Sequence, residues 1–453
     1  MRITAASVAA ATGGSLVSGS PDAVFTSFHT DSREVPAAGG LFFALRGAET
    51  DGHRFVTAAS RRGSVGVVVQ ADVEVAPGTV VIRVADSWRA LYDLAASVLA
   101  RAAPLCVGVT GSNGKTSTKE MVAAALACRY TVLRTQGNLN TETGVPLTVL
   151  NLEPGHHTAI VLEMGMQGPG EIARLAALAR PQIGVITGIG TVHIEFFENQ
   201  EGIARAKGEL LEALPASGLA VINADDAFEP LLRSLSRAPV VTFGLEAGDY
   251  RAEAYAADPA GGSHFSIRGA GVRLGINGGH QVRNALAALA VAEHAGVPLD
   301  EAAPALASVR VPGRLAEHAT PAGFTVIDDA YNASPESMLA AFEAVAERPR
   351  GGGRFAVLGE MRELGVHALE AHQRVGRRAA EVFDSVAVVD VGHGPVMAAA
   401  AGAELLPDRE AAVAWARRMA GPGATVLVKA SHGVHLETVV EALLTGAGPG
   451  GAG

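Results

Sequence analysis

Residues 111–117 read Gly-Ser-Asn-Gly-Lys-Thr-Ser and lie between an apolar hexapeptide, LCVGVT, and a helix-like stretch over 116–128. A strand feeding a glycine-rich turn that opens a helix points successive backbone N–H groups at one place, the helix N-terminus, where an anion is stabilised. There a lysine reaches the terminal phosphates of a nucleotide and the hydroxyl after it can ligate Mg2+. Gly111, Ser112, Asn113, Gly114, Lys115, Thr116 and Ser117 are thus the candidate phosphate-binding residues, with Thr116 also a candidate metal ligand. The general phosphate loop carries another glycine five places before Gly114, and here Val109 stands there. The loop is shorter than the general pattern, and a turn that binds nothing is the plain alternative.

A Mg-nucleotide also needs an oxygen ligand from a neighbouring strand. The run AIVLEM brings Glu163 to the carboxyl end of a predicted strand, the edge of an open parallel sheet where ligands bind. His193, in TVHIEFF after the strand IGVITGIG, is carried to the same edge, although a loop histidine is usually just polar surface. Lysine usage adds a further signal. Only Lys115, Lys119, Lys207 and Lys429 are lysines among 36 basic residues, so arginine supplies the generic surface cations. A lysine here is a candidate for a task arginine cannot perform, either a compact charge in a phosphate loop or a reacting amine. Lys207, in IARAKGEL, falls on a predicted helix where a salt bridge is the ordinary role. Lys119 is expected on an exposed helical face, as a surface cation.

Behind these residues the chain has 453 positions, enough for about three domains. Its two cysteines, Cys106 and Cys128, lie in apolar stretches; they exclude a disulfide scaffold and a cysteine zinc site, read as small core residues and suit a reducing compartment. A net charge of −10 argues against nucleic acid or an anionic membrane as the main partner. Mean hydropathy is +0.25, yet no apolar run reaches the ~18 residues of a spanning helix, which reads as a soluble chain. In MRITAASVAAATGG, Thr4 is expected to cap a short helix rather than to belong to a signal peptide. The expected location is the cytoplasm, and the expected state a monomer.

The elements that must hold the candidate residues fall into an α/β pattern of three units. Residues 1–85 mix short strands, at 41–45 and 65–69, with turns, and a helix over 88–100 leads onward. Across 86–310, LCVGVT, AIVLEM, IGVITGIG and LAVIN alternate with helices, the signature of a mostly parallel sheet of phosphate-loop type with flanking helices. The stretch 250–276 adds antiparallel strands, and a helix over 282–294 follows. After VPGR, residues 311–445 restart the alternation with FTVIDD, RFAVLG, SVAVVDV and ATVLVKA, and with helices at 335–346, 368–382 and 409–419, as a Rossmann-like unit. The tail 446–453 is too rich in glycine and proline to order itself.

With TGSNGKTS, the EMG at Glu163, HIEFFENQEGIARAKGEL, NADD at 223–226 and DDAYNASPESM at 328–338, the chain resembles the Mur ligase family. The shorter phosphate loop is the form this family uses. GNLNTETGVPLTVL, GEIARLAALARP and LGEMRELG direct the resemblance to the member that joins D-Ala-D-Ala to UDP-N-acetylmuramoyl-tripeptide. TDSR, LFFALRG and DGHRF are shared with the ligase that adds the third amino acid, but the DNPR-type motif of that sister is missing. The resemblance implies ATP as the energy source and two Mg2+ ions, with Thr116 and Glu163 on one, and His193 with a carbamylated Lys207 on the other. It places His280 and Asn284 near adenine, and gives Arg314 and Asp329 a clamp on phosphate and ribose. Ser32 and Arg33 would contact the UDP moiety, and Asn138 and Asn140 the muramoyl peptide. It further implies domain closure, open without nucleotide and closed with it. Two departures stand out: Gln281 follows His280 where the family usually has Asn, and LVKASHG carries Ala430 and His432 where it usually has Gly and Arg.

A nucleotide switch or transport ATPase would also explain the loop and Glu163. It leaves the scarce Lys207, the TDSR unit and the third unit without a task. A ligase of the same family with another acceptor, such as a folylpolyglutamate synthase, is disfavoured by the TDSR unit.

Overall fold

The computed structural model describes residues 2–36, 38–47, 50–258, 262–348 and 350–445. Three sheets organise the chain. The first has five strands in the order Ser15–Ser18, Val80–Arg83, Ser64–Val69, Gly40–Phe43, Ser27–His29, all parallel except the first pair. Thr4 caps the short helix Ala5–Thr12 by accepting from the Ser7 N–H, as its sequence position predicts.

The central sheet has seven parallel strands in the order Tyr250–Arg251, Val240–Gly244, Leu219–Asn223, Ile183–Ile186, Leu105–Thr110, Ala159–Glu163, Val132–Arg134. Helices cover both faces, which is why Leu105–Thr110 reads as an unbroken apolar run. Strands earlier than Ile183 lie to one side of Leu105–Thr110 and later ones to the other. That strand's carboxyl end is therefore a topological switch point, a crevice in which open α/β sheets bind ligands. Ser263–Ile267 pairs antiparallel with Glu253–Ala257 and Ala270–Leu274. Tyr250–Arg251, expected in that antiparallel group, instead extends the parallel sheet beside Val240–Gly244.

The third sheet runs Ala316–Ala319, Thr325–Asp328, Thr425–Lys429, Arg354–Leu358, Ser385–Val389, Glu404–Leu406, with only the first pair antiparallel. Helices Pro335–Ala346, Ala368–Val382 and Arg409–Met419 occupy their expected places, and Ser334 closes the first with a capping box. The helix Gly394–Ala401, a small-residue segment without polar alternation, was not anticipated. Between the first two units runs the helix Ser87–Ala102, capped by Asp86 on the N–H groups of Trp88 and Arg89. Its Leu91, Leu94 and Val98 share one buried cluster with Phe43 and Ile82 of the first unit and Val149 and Leu175 of the second.

Two further expectations fail. Cys106 is buried but Cys128 is exposed, because the helix Lys115–Leu126 has ended and the chain is turning there. Lys119 is 1% exposed, because Lys115–Leu126 packs one face on the sheet and another on the helix Gly279–His294, leaving little of it to solvent. The tail 446–453 lies outside the described residues.

Candidate active site

At the end of Leu105–Thr110 the chain turns through Gly111 at φ 146° and Gly114 at φ 82°, conformations that disfavour any side chain. Space forbids one as well. A Cβ at Gly111 would collide with the Thr187 hydroxyl, and one at Gly114 would meet Asn284 Oδ1 at 2.6 Å. The loop is braced from the neighbouring strand's exit: the Ser112 N–H donates to Gly188 O at 2.8 Å, and the Gly190 N–H to Ser112 Oγ at 2.8 Å. Lys115 Nζ folds onto its own loop, donating to Gly111 O at 2.8 Å and Ser112 O at 3.2 Å. Burial lowers its pKa, opposed by the charge of Glu163. These contacts make a preformed anion cradle at a helix N-terminus.

Glu163 ends the strand that pairs directly with Leu105–Thr110 and is 2% exposed. Asn140 Nδ2 donates to Glu163 Oε1 at 2.8 Å, while Oε2 is buried with no hydrogen-bond partner among the described residues. A buried oxygen left with free lone pairs suits a hard cation. Among the described residues no group of three or more His, Cys, Asp or Glu is placed to hold a metal. A cation at Glu163 would therefore complete its shell with phosphate oxygens and water, the usual manner of Mg2+.

All four lysines converge on this region. Lys119 Nζ lies 3.2 Å from Glu120 Oε1 and 3.6 Å from Glu163 Oε2. Lys207 is 1% exposed and makes no hydrogen bond or ion pair among the described residues; burial, and then the nearby charge of Lys115, hold its pKa well below the ordinary value. Lys429 Nζ lies 2.6 Å from Asp329 Oδ2 and donates to Asn332 O at 2.8 Å. Burial drives both members of that pair toward their neutral forms, against their mutual attraction.

The third unit forms the opposite wall. A cavity of about 460 Å³ is lined by Ser112, Asn113, Gly114, Thr116 and Ser117 from one side and by Arg314, Asp329, Glu336 and Lys429 from the other. Arg314 stacks its guanidinium 4.5 Å above the Tyr331 ring. Two polar contacts join the walls: Ser334 Oγ donates to Asn113 Oδ1 at 3.2 Å, and Thr191 donates its N–H and hydroxyl to Glu336 Oε1 at 3.0 and 2.8 Å. His280 lines the same cavity, and burial lowers its pKa to about 4, so its ring is neutral near pH 7. Asn284 is 6% exposed; it accepts from Thr118 Oγ1 at 3.1 Å and donates to Gln281 Oε1 at 3.1 Å. The unusual Gln281 thus orients the Asn284 amide.

The residues expected at the muramoyl end are dispersed. Arg33 is largely exposed and holds Asp31 at 2.6 Å in the first unit, with Ser32 beside it. Asn138 is exposed, whereas Asn140 has turned inward to Glu163. His193, in a left-handed conformation at φ 67°, puts Nδ1 against the carboxylate of Glu363, itself at φ 61° in the third unit. That contact holds the Glu363 carboxyl below its ordinary range. Sequence reasoning assigned no task to Glu363, Glu336, Ser334 or Thr191, which meet only across the packed units. For Lys119 and Lys429 the rarity of lysine was a usable signal.

Residues 109–292 match the family model of the Mur ligase middle domain, and residues 313–432 that of the Mur ligase, glutamate ligase domain. The UDP-N-acetylmuramoyl-tripeptide--D-alanyl-D-alanine ligase of Synechocystis sp. is 37% identical over 92% of this chain and 91% of its own. Among solved structures, MurF from Acinetobacter baumannii superposes with a TM-score of 0.87 at 30% identity, covering 98% of this chain and 99% of that one. The MurF ligase from Thermotoga maritima in complex with ADP gives 0.80 at 31% identity, over 92% and 97%.

Proposed function

The chain belongs to the Mur ligase family, and from that premise we propose that it joins D-alanyl-D-alanine to UDP-N-acetylmuramoyl-tripeptide at the expense of ATP, yielding the UDP-linked pentapeptide of peptidoglycan synthesis, ADP and phosphate. The observation that carries this reading is the shared cavity, with the phosphate loop on one wall and Arg314, Asp329 and Lys429 on the other. ATP phosphates on the loop and ribose at Asp329 would span the two walls, so the site completes when the units close.

In this reading the peptide's terminal carboxylate attacks the γ-phosphorus of ATP, the bond to the β,γ-bridging oxygen breaks, and ADP leaves from an acyl phosphate. The dipeptide amine then attacks the acyl carbon, loses a proton, and expels phosphate as the amide forms. Activation is required because a carboxylate is a poor electrophile. Lys115 would swing from Gly111 O and Ser112 O onto the transferring phosphoryl group, exchanging two carbonyl dipoles for a full charge. Thr116 and Glu163 would hold one Mg2+, and His193 with carbamylated Lys207 a second; bound there, the ions supply charge neutralisation at the phosphoryl oxygens. Lys207 suits carbamylation because a buried amine kept neutral can add CO2. Asn140 would hold Glu163 while the loop of Asn138 and the Ser32–Arg33 turn approach the muramoyl peptide and UDP. His280 and Asn284 would flank adenine.

We propose that it acts in the cytoplasm as a monomer on small substrates; no helix among the described residues is long and apolar enough to cross a membrane. The deciding experiment is phosphate release with Mg-ATP, UDP-muramoyl-tripeptide and D-Ala-D-Ala, each omitted in turn. Release that needs every component, with a pentapeptide product by mass, supports the ligase. Brisk release from ATP alone returns the chain to the switch or ATPase class.

A further inference from the structure

We propose that Lys119 is a positioning residue for Glu163, balancing its charge until nucleotide arrives, so that the site refuses a bare divalent cation and admits the metal only together with its phosphates. The inference rests on the reading of Glu163 as a metal ligand.

Burying an ammonium is costly unless a partner compensates it, and Lys119 is 1% exposed in a chain that otherwise favours arginine. Of its two acidic neighbours, Glu120 already has another cation, since Arg134 Nε donates to Glu120 Oε2 at 2.6 Å. Among the described residues Glu163 has no other cation in contact. The separation matters as much as the charge. At 3.6 Å the ammonium is beyond hydrogen-bond distance, so it neutralises Glu163 while leaving the lone pairs of Oε2 unused. Asn140, a neutral donor, meanwhile fixes the other oxygen. An arginine's flat fork would bond both oxygens of a carboxylate and occupy the acceptor the cation needs. A compact charge held just out of bonding range does neither.

The consequence follows from Coulomb's law. Facing a carboxylate that is already balanced, and with no cluster of three or more acidic, His or Cys ligands among the described residues, a bare divalent ion gains little. A nucleotide brings its own negative phosphates and restores the attraction. Metal and ATP would therefore enter as one complex.

The test uses Mn2+ as probe, with bound ion counted by electron paramagnetic resonance, on the full chain with and without ADP. Wild type should bind Mn2+ only with ADP; wild type that takes bare Mn2+ as tightly as it does with ADP overturns the proposal without any variant. Lys119→Gln, which keeps polar contact, and Lys119→Met, which keeps the alkyl packing, should each gain bare Mn2+ binding by at least about tenfold. Lys119→Arg should still exclude the bare ion but weaken Mn-ADP, because its fork takes the Oε2 lone pairs. Folded Gln and Met variants with unchanged bare-ion affinity would mean that Lys119 only fills space. Glu163→Gln tests the underlying reading separately: if it leaves Mn-ADP binding intact, Glu163 is not the ligand, whatever the Lys119 variants do.

Discussion

Lys429→Met should destabilise the third unit by an amount that depends on pH. Both ends of the pair are buried, with Lys429 1% and Asp329 6% exposed, and the ammonium is the cation within contact distance of the carboxylate. Methionine restores most of the alkyl packing, and the released Asn332 carbonyl belongs to an exposed residue that water can serve. What remains is a buried unpaired carboxylate, for which removing one partner costs about 3–5 kcal/mol. Asp329 has an escape, since it can take a proton. From an ordinary pKa of 3.8, protonation requires about 4 kcal/mol at pH 7 and about 2 kcal/mol at pH 5, at about 1.4 kcal/mol per unit. The loss in the variant is therefore capped near 4 kcal/mol at pH 7 and near 2 kcal/mol at pH 5. The sign is that of a carboxyl whose folded pKa is raised: the penalty is absent below the unfolded value of 3.8 and grows as pH rises toward the folded one. Trp415, 1% exposed and packed edge-on against Phe355, reports unfolding of this unit, and Trp88→Phe removes the chain's other tryptophan. Urea transitions at the two pH values should show the penalty halved at pH 5, and adding Asp329→Asn should recover most of it at pH 7. An equal loss at both pH values, or no recovery in the double variant, would refute the argument that an uncompensated charge is what the variant leaves behind.

Asn140→Ala removes the hydrogen bond to Glu163 Oε1; a bond to a charged group contributes about 1.5–3 kcal/mol, so kcat/KM for Mg-ATP should fall by about tenfold to a hundredfold. If only KM for the muramoyl peptide rises, Asn140 belongs to that substrate instead. His280 has a folded pKa of about 4 against an ordinary 6.5, so stability is complete above pH 6.5 and is lost as pH falls toward 4, by at most about 3 kcal/mol. His280→Asn should abolish that acid-side loss, as read from paired urea transitions at pH 7.5 and 4.5. Lys207→Arg keeps a long basic side chain but cannot form a carbamate, and turnover should fall by about a hundredfold or more if an oxygen ligand is lost; full turnover in this variant ends the carbamate proposal.

The sequence by itself determined what is local. The phosphate loop was legible because a strand, two glycines that must adopt positive φ, a lysine and a helix are consecutive, and backbone geometry over a few residues dictates the cradle. The helices Pro335–Ala346, Ala368–Val382 and Arg409–Met419 were legible for the same reason, through spacing and caps. The scarcity of lysine marked four positions without saying what they face. Lys119 read as a surface cation because a single helix gives no sign that a second helix and a sheet will cover it on both sides. Asn140 and Glu163 are separated by 23 positions and Asp329 and Lys429 by 100, and Glu363 reaches His193 from another unit. Only the tertiary structure decides such pairs. Pairing depends on which strand ends share an edge and on how the units pack, and burial sets whether a neighbouring charge is worth a fraction of a kcal/mol or several.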